Sequence, residues 1–328
     1  MSASKAVQGD LVDVGEPNIV AKHRGRGADK DRTSLRLVRV VRRLWSRGEA
    51  IVPDDAELEL QAAVADTAPV EDEAYADGEP DRAWLQTLWG PGFVTPGGED
   101  YVIASIKSLA LTAAVNLLEL EPGLGGSTRV IAKEAGCWVT GFESDAELAA
   151  EAMDLSSRAG FAKKAVIKAL NPVAPGFTAK TFDHCYAKDG ILEVADKPAL
   201  YKAVHKALKP NGKFVFGEFV VRKGAESDPA FLVLGKNRAA PRGLWNRDDL
   251  LAALGKSGFG VKEADTTSDA IERAMIRSWL ALTDRLKTEP VSANKANMII
   301  NECIRWVRVS ALLRDGALEH VSVRAARV

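Results

Sequence analysis

The chain reads as an α/β protein built on a doubly wound, mostly parallel sheet, and three observations predict that class. From Arg82 onward, apolar runs of strand length such as "AVNLLEL", "CWVTGFE" and "KFVFGEFVV" alternate with amphipathic segments of helix length. Runs that stay apolar at successive positions suit strands covered on both faces, and connections of this length are right-handed helical crossovers. A glycine-rich turn, "EPGLGG", follows the first such run and opens a helix, so a ligand can approach the backbone at the carboxyl ends of the strands.

The elements follow in order. Residues 1–32 are rich in Gly, Ser, Lys and Asp without apolar period and are expected to form a flexible tail. "TSLRLVRVVRRLWSRG" then has a cap at Thr33 or Ser34, puts Leu37, Val41, Leu44 and Trp45 on one face, and ends on Gly48. This basic helix is expected to be an arm packed on its own core or on a second subunit. With the acidic linker behind it, it makes up residues 33–81. Between Lys22 and Arg47 there are ten basic and two acidic residues, whereas Asp54 to Asp81 holds eleven acidic residues and no Lys or Arg, so the two stretches can attract each other.

Residues 82–328 carry the sheet. "GGSTRVIAKEAG" opens the first crossover helix and "DAELAAEAMDLSSRAGF" is the second; "AVIKAL" and "FDHCYAK" are strands. "KPALYKAVHKALKPNG" is a helix ended by a turn before "KFVFGEFVV". A helical insertion over about 269–315 includes "ANKANMIINECIRWVRVSALLRDG", whose apolar spacing puts Trp306 on a buried stripe and predicts a lid or a subunit contact.

A net charge of −1 gives no reason to expect nucleic acid or an anionic membrane as the main partner. No apolar stretch approaches the roughly 20 residues that a membrane-spanning helix needs. Three scattered cysteines argue against a disulfide framework or a paired-cysteine zinc site, and a cytoplasmic setting is expected. No metal site is predicted.

The glycine turn gains meaning from Glu143, which ends the second strand about twenty residues on, where a carboxylate can accept hydrogen bonds from ribose hydroxyls. Both nicotinamide dinucleotides and S-adenosylmethionine use that logic. Four stretches decide between them. "LLELEPGLGGSTRVIAKEAGCWVTGFESD", "TFDHCYAKDGILEVADKPALYKAVHKALKPNGKFVFGEF", "LWGPGFVTPGG" and "GFGVKEADTTSD" with the closing "ALEHVSVRAARV" together resemble the class I S-adenosylmethionine-dependent methyltransferases, nearest to the small-molecule enzymes of the phosphoethanolamine type. The resemblance implies seven strands, a Rossmann-like order, a helical lid and S-adenosylmethionine as cofactor.

It also implies roles. Gly123, Gly125 and Gly126 would lie beside the methionine part of the cofactor, after Glu119, the acid that opens the loop, and Glu143 would hold the ribose. Asn171 would reach the adenine, and Gly97 and Gly98 would help to close the pocket. Lys188 and Asp189 would face the methyl-transfer site, with Glu193 and Glu218 as further carboxylates there. The family loop runs acid, any, Gly, any, Gly, any, Gly, and here Glu121 replaces its first glycine, with Pro122 restricting the turn. If the Glu121 side chain points into the pocket it takes up methionine space, where its carboxylate can pair with the ammonium or sulfonium of the cofactor; if it points away, the backbone must accept a side chain where the family has none. The tyrosine and histidine of phosphoethanolamine-type enzymes correspond to Leu85 and Glu193. Two readings follow. The first is methyl transfer to a small-molecule acceptor; the second is a methyltransferase-fold protein that no longer catalyses and serves as a binding or regulatory partner. A homodimer, if formed, would use the arm or the lid.

Overall fold

The computed structural model describes residues 26–46, 81–170, 176–192, 194–225, 229–234, 244–289 and 291–328. Among them, seven strands form one sheet in the order β3-β2-β1-β4-β5-β7-β6. β1 (Asn116–Leu120), β2 (Trp138–Glu143), β3 (Ala165–Ala169), β4 (Phe182–Lys188) and the paired part of β5 (Leu208–Val221) run parallel. β6 (Phe259–Thr266) and β7 (Leu318–Arg327) close the sheet, with β7 inserted antiparallel between β5 and β6. The order reverses between β1 and β4, so the ends of those strands open on the crevice where ligands of such sheets sit.

Residue alternation along each strand feeds two cores. Leu117, Val139, Tyr186, Val215 and Phe219 face one side. Leu118, Cys185, Ala187, Phe214 and Phe216 face the other, under the helices Lys197–Ala207 and Arg247–Lys256. Burial on both faces is why these strands read as continuous apolar runs. The "LKPNG" stretch belongs to β5 rather than to a separate turn: Phe182 pairs with Leu208 and His184 already with Lys213, so the intervening residues loop outward, with Asn211 at φ 62°.

The amino-terminal helix α1 spans Arg26–Ser46 and so begins inside the stretch expected to be tail. Its apolar face is spent within the chain. Leu37, Val41, Leu44 and Trp45 are buried in the core cluster shared with α8 (Ser268–Leu286) and α9 (Ala293–Arg314), the two helices between β6 and β7. Trp45 stacks on Trp279 at 5.9 Å and 8°. Trp89, at the end of α2 (Arg82–Trp89), meets both Trp279 and Trp306 edge to face. Arg42 adds an ion pair to Asp284 and a hydrogen bond to Thr283. The acidic linker expected to attract the arm lies outside the described residues. Among the described residues, no helix is long and apolar enough to cross a membrane.

Candidate functional site

The loop after β1 is built from positive-φ residues. Gly123 has φ 58°, and Gly125 at φ 72° caps α4 (Gly126–Ala135) in the left-handed region. The Gly125 N–H donates to the Pro122 carbonyl at 2.9 Å, which closes the turn. A Cβ on Gly123 would meet nothing within 4 Å, so space remains beside that residue.

Glu143 ends β2 and is 2% exposed. Its Oε2 accepts from the Gly123 N–H at 2.9 Å and its Oε1 from the Asp145 N–H at 3.2 Å, so the loop and the start of α5 (Ala146–Arg158) hold the carboxylate in place. Glu119 lies deeper in β1, completely buried, accepting from the Ser127 hydroxyl; burial pushes its carboxyl up to about 7, against the opposing pull of that hydrogen bond.

Glu121 stands at φ 49°, a left-handed backbone that costs a residue with a side chain about 1–3 kcal/mol. Its Cβ rests against the backbone position of Gly190, and its carboxyl turns toward the end of β2, where Oε2 accepts from the Ser144 hydroxyl at 2.8 Å and the Ser144 N–H at 3.3 Å. Oε1 is buried without a hydrogen-bond partner. Burial, reinforced by the adjoining Glu143 carboxylate, raises this group to about 8. The Glu121 side chain thus turns toward Glu143 and Ser144 at the end of β2, on a left-handed backbone.

A cover lies over the loop. α2 and α3 (Gly98–Ile106) flank a turn in which the Gly92 carbonyl accepts from the Gly126 N–H at 3.1 Å. A Cβ at Gly92 would come within 2.8 Å of the Gly126 Cα, so glycine is required there by close approach as well as by φ 81°. Gly97 and Gly98 sit farther along the cover: a Cβ on Gly97 would touch Lys188 Cε at 3.1 Å, which puts that turn over the end of β4.

At that end is a buried polar chain. Lys188 Nζ donates to Asp189 Oδ2 at 2.6 Å and to Thr95 Oγ1 at 2.7 Å. Asp189 Oδ1 meets His320 Nε2 at 2.9 Å, and His320 Nδ1 meets Thr267 Oγ1 at 2.6 Å. Burial alone would raise Asp189, yet the Lys188 charge and the His320 hydrogen bond outweigh it and hold this carboxyl well below the usual range. An ionised Asp189 calls for the proton on Nε2, leaving Nδ1 to accept from the Thr267 hydroxyl. Tyr101 packs edge to face on His320 at 5.8 Å, and its phenol oxygen is buried without a hydrogen-bond partner.

Lys188 and Asp189 are therefore together, with both Asp189 oxygens engaged. Such a carboxylate orients a neighbour better than it takes up a proton. Glu218 is buried within β5 and accepts from the Phe219 N–H. Asn171 and Glu193 lie outside the described residues. Gly92, Thr95, Thr267 and His320 were not singled out for this chemistry from the sequence. The one signal available for His320 is a polar residue on the inward alternation of the final strand.

These residues fit S-adenosylmethionine. The end of the sheet offers two adjoining carboxyl groups, a buried oxygen lacking a partner and open space beside Gly123, and among the described residues neither carboxyl has an ion-pair partner. Among the described residues no cation pairs with these carboxyl groups, and a sulfonium nucleoside brings positive charge together with hydroxyl donors.

Strand order, the glycine loop and the acid that ends β2 together define the class I methyltransferase fold, Rossmann-like with a closing antiparallel strand. Residues 118–216 match the family model described as "Methyltransferase domain". Within that class the chain resembles phosphoethanolamine-type enzymes: it is 26% identical to phosphoethanolamine N-methyltransferase 1 of Zea mays over 44% of this chain and 28% of that one. It is 28% identical to phosphoethanolamine N-methyltransferase 2 of Caenorhabditis elegans over 43% of this chain and 32% of that one. The matches thus span about a third or less of those relatives' length. Haemonchus contortus phosphoethanolamine N-methyltransferase 2, solved with phosphomonomethylethanolamine and S-adenosylhomocysteine, superposes with a TM-score of 0.65 at 19% identity, over 74% of this chain and 56% of that one. Geranyl diphosphate C-methyltransferase from Streptomyces coelicolor A3(2) superposes at 0.53 and 15% identity, over 83% of this chain and 98% of that one.

Proposed function

We propose that the chain binds S-adenosylmethionine and catalyses methyl transfer to a small-molecule acceptor, residues 82–328 forming the methyltransferase-like domain. The observation that carries this reading is the Glu143 carboxylate held against the Gly123 N–H at the sheet's switch point. When bound, the cofactor supplies an electrophilic methyl group on a positively charged sulfur.

The chain's own residues do the rest. Gly123 leaves room for the methionine end, Gly125 and Gly126 let the loop pack closely against Ile167 and the Gly92 turn, and Glu143 takes the ribose hydroxyls. Gly97 and Gly98, with the turn at Gly92, keep water out. Orientation and water exclusion account for much of the acceleration such a transfer needs. Where the acceptor starts protonated, His320 is the group that takes its proton, relayed by the Thr267 hydroxyl, while Asp189 and Lys188 fix the ring. A near-zero net charge supports a small acceptor over nucleic acid, and the free, buried cysteines suit a reducing cytoplasm. The relatives' names make phosphoethanolamine the first acceptor to try, although Leu85 and Glu193 take the places of the tyrosine and histidine those enzymes carry.

Calorimetry with S-adenosylmethionine tests the reading. A micromolar dissociation constant is expected, weakened about 10- to 100-fold by Glu143→Ala, the loss of about 1.5–3 kcal/mol for hydrogen bonds to a charged group. No heat at millimolar cofactor would turn the assignment toward a non-catalytic binding protein.

A further inference from the structure

The ends of β1 and β2 bring two carboxyl groups together without an ion-pair partner among the described residues. Glu121 and Glu143 adjoin, and the titratable neighbour beside them, Asp145, has its own ion pair with Arg82 at 3.8 Å. The Arg129 guanidinium donates to the Leu124 carbonyl, and Lys188 is bound to Thr95 and Asp189. Among the described residues, the backbone of Gly190 packs against the Glu121 Cβ, and Ser144, just after β2, donates to its carboxyl. Oε1 of Glu121 is buried with no partner, and the residue keeps a strained left-handed backbone, φ 49°, to hold the carboxyl there. Two like charges in a poorly hydrated crevice cannot both ionise unless positive charge arrives.

We infer that Glu121 is a charge-selecting residue of the cofactor pocket: it keeps its proton beside Glu143 when the pocket holds no positive charge, and it releases that proton when the cationic cofactor enters. The inference rests on the cofactor reading above and deepens it. The binding step balances simply. The Glu121 O–H breaks, its proton goes to buffer, and the carboxylate left behind faces a ligand with one more positive charge than the demethylated product. The pocket thereby favours S-adenosylmethionine over S-adenosylhomocysteine, whose sulfur is neutral, and this preference helps product leave. With a free-state value of about 8, Glu121 carries its proton through the neutral range, so binding draws on it there.

Isothermal titration of the full chain with S-adenosylmethionine, in two buffers of different ionisation enthalpy between pH 6 and 7, reads the proton directly. In that range the cofactor's own amino group stays protonated. Release of about one proton, with affinity rising about tenfold per pH unit, is the expected result. Glu121→Gln should still bind, release no proton, lose the pH slope and narrow the preference over S-adenosylhomocysteine about tenfold. Glu121→Gly, which relieves the backbone, is the second variant should the amide disturb folding. Binding by the wild type without proton release, or release that persists in both variants, overturns this inference and leaves the cofactor reading standing. Binding by Glu121→Gly where the wild type gives none also overturns it, since Glu121 would then be a plug. No binding by wild type or variants removes the cofactor reading itself.

Discussion

At the scale of single residues, carboxyl groups dominate the chemistry of this molecule, and burial sets their behaviour. Glu119 illustrates the sign. Its value is about 7 in the folded chain against 4.5 for the ordinary group. An acid raised on folding contributes most favourably below about pH 4.5, and that contribution is lost as pH rises through about 7. Replacing it by Gln, which keeps an acceptor for Ser127, should raise stability above pH 7 by about 2–3 kcal/mol and do nothing below pH 4.5; urea titrations at both ends measure it. Asp189 is the opposite case. It is lowered, so it stays ionised throughout the working range and fixes His320. His320→Gln should therefore reduce the rate of methyl transfer while leaving the cofactor dissociation constant unchanged, and raising pH should restore part of the rate by deprotonating the acceptor in solution. Loss of cofactor binding in that variant would place His320 in the pocket wall instead.

At the scale of elements, the sheet was legible because its strands are buried on both faces, and the helical insertion because Trp306 lies on a buried helical stripe. The docking of α1 was legible only in part. Its apolar face is plain in Leu37, Val41 and Trp45, but whether such a face meets its own chain or a second copy depends on what lies opposite. Here Trp279 of α8 is opposite, and the stacked pair joins α1 to α8. Trp45→Ala should cost about 3–5 kcal/mol in denaturant titration, as expected for truncating a buried tryptophan. A cost below about 1 kcal/mol would mean that the arm is undocked in solution. The boundary of α1 was misplaced for a local reason: the Gly and Asp residues before Thr33 weaken helix propensity, and the packed helix runs through them regardless.

At the scale of the whole molecule, the cover and the loop belong to segments about thirty residues apart in the chain that close on each other through Gly92 and Gly126. Gly92→Ala introduces a side chain at φ 81° and against Gly126, so it should weaken cofactor binding about tenfold or more while leaving the far-ultraviolet circular dichroism unchanged. Unchanged affinity would mean that the cover does not bound the pocket.

The linear chain by itself determined the sheet, its parallel core, the glycine turn and the acid that faces it, because each depends on short-range periodicity or on a fixed spacing along one strand–turn–helix unit. Only the tertiary structure decided which way Glu121 points and which residues surround Asp189. Thr95, Tyr101, Thr267 and His320 come from the cover, a helix, a helix cap and the last strand, up to 225 residues apart in sequence. Their meeting is a property of the sheet's crossing order, in which β7 enters beside β5, and no local pattern encodes it.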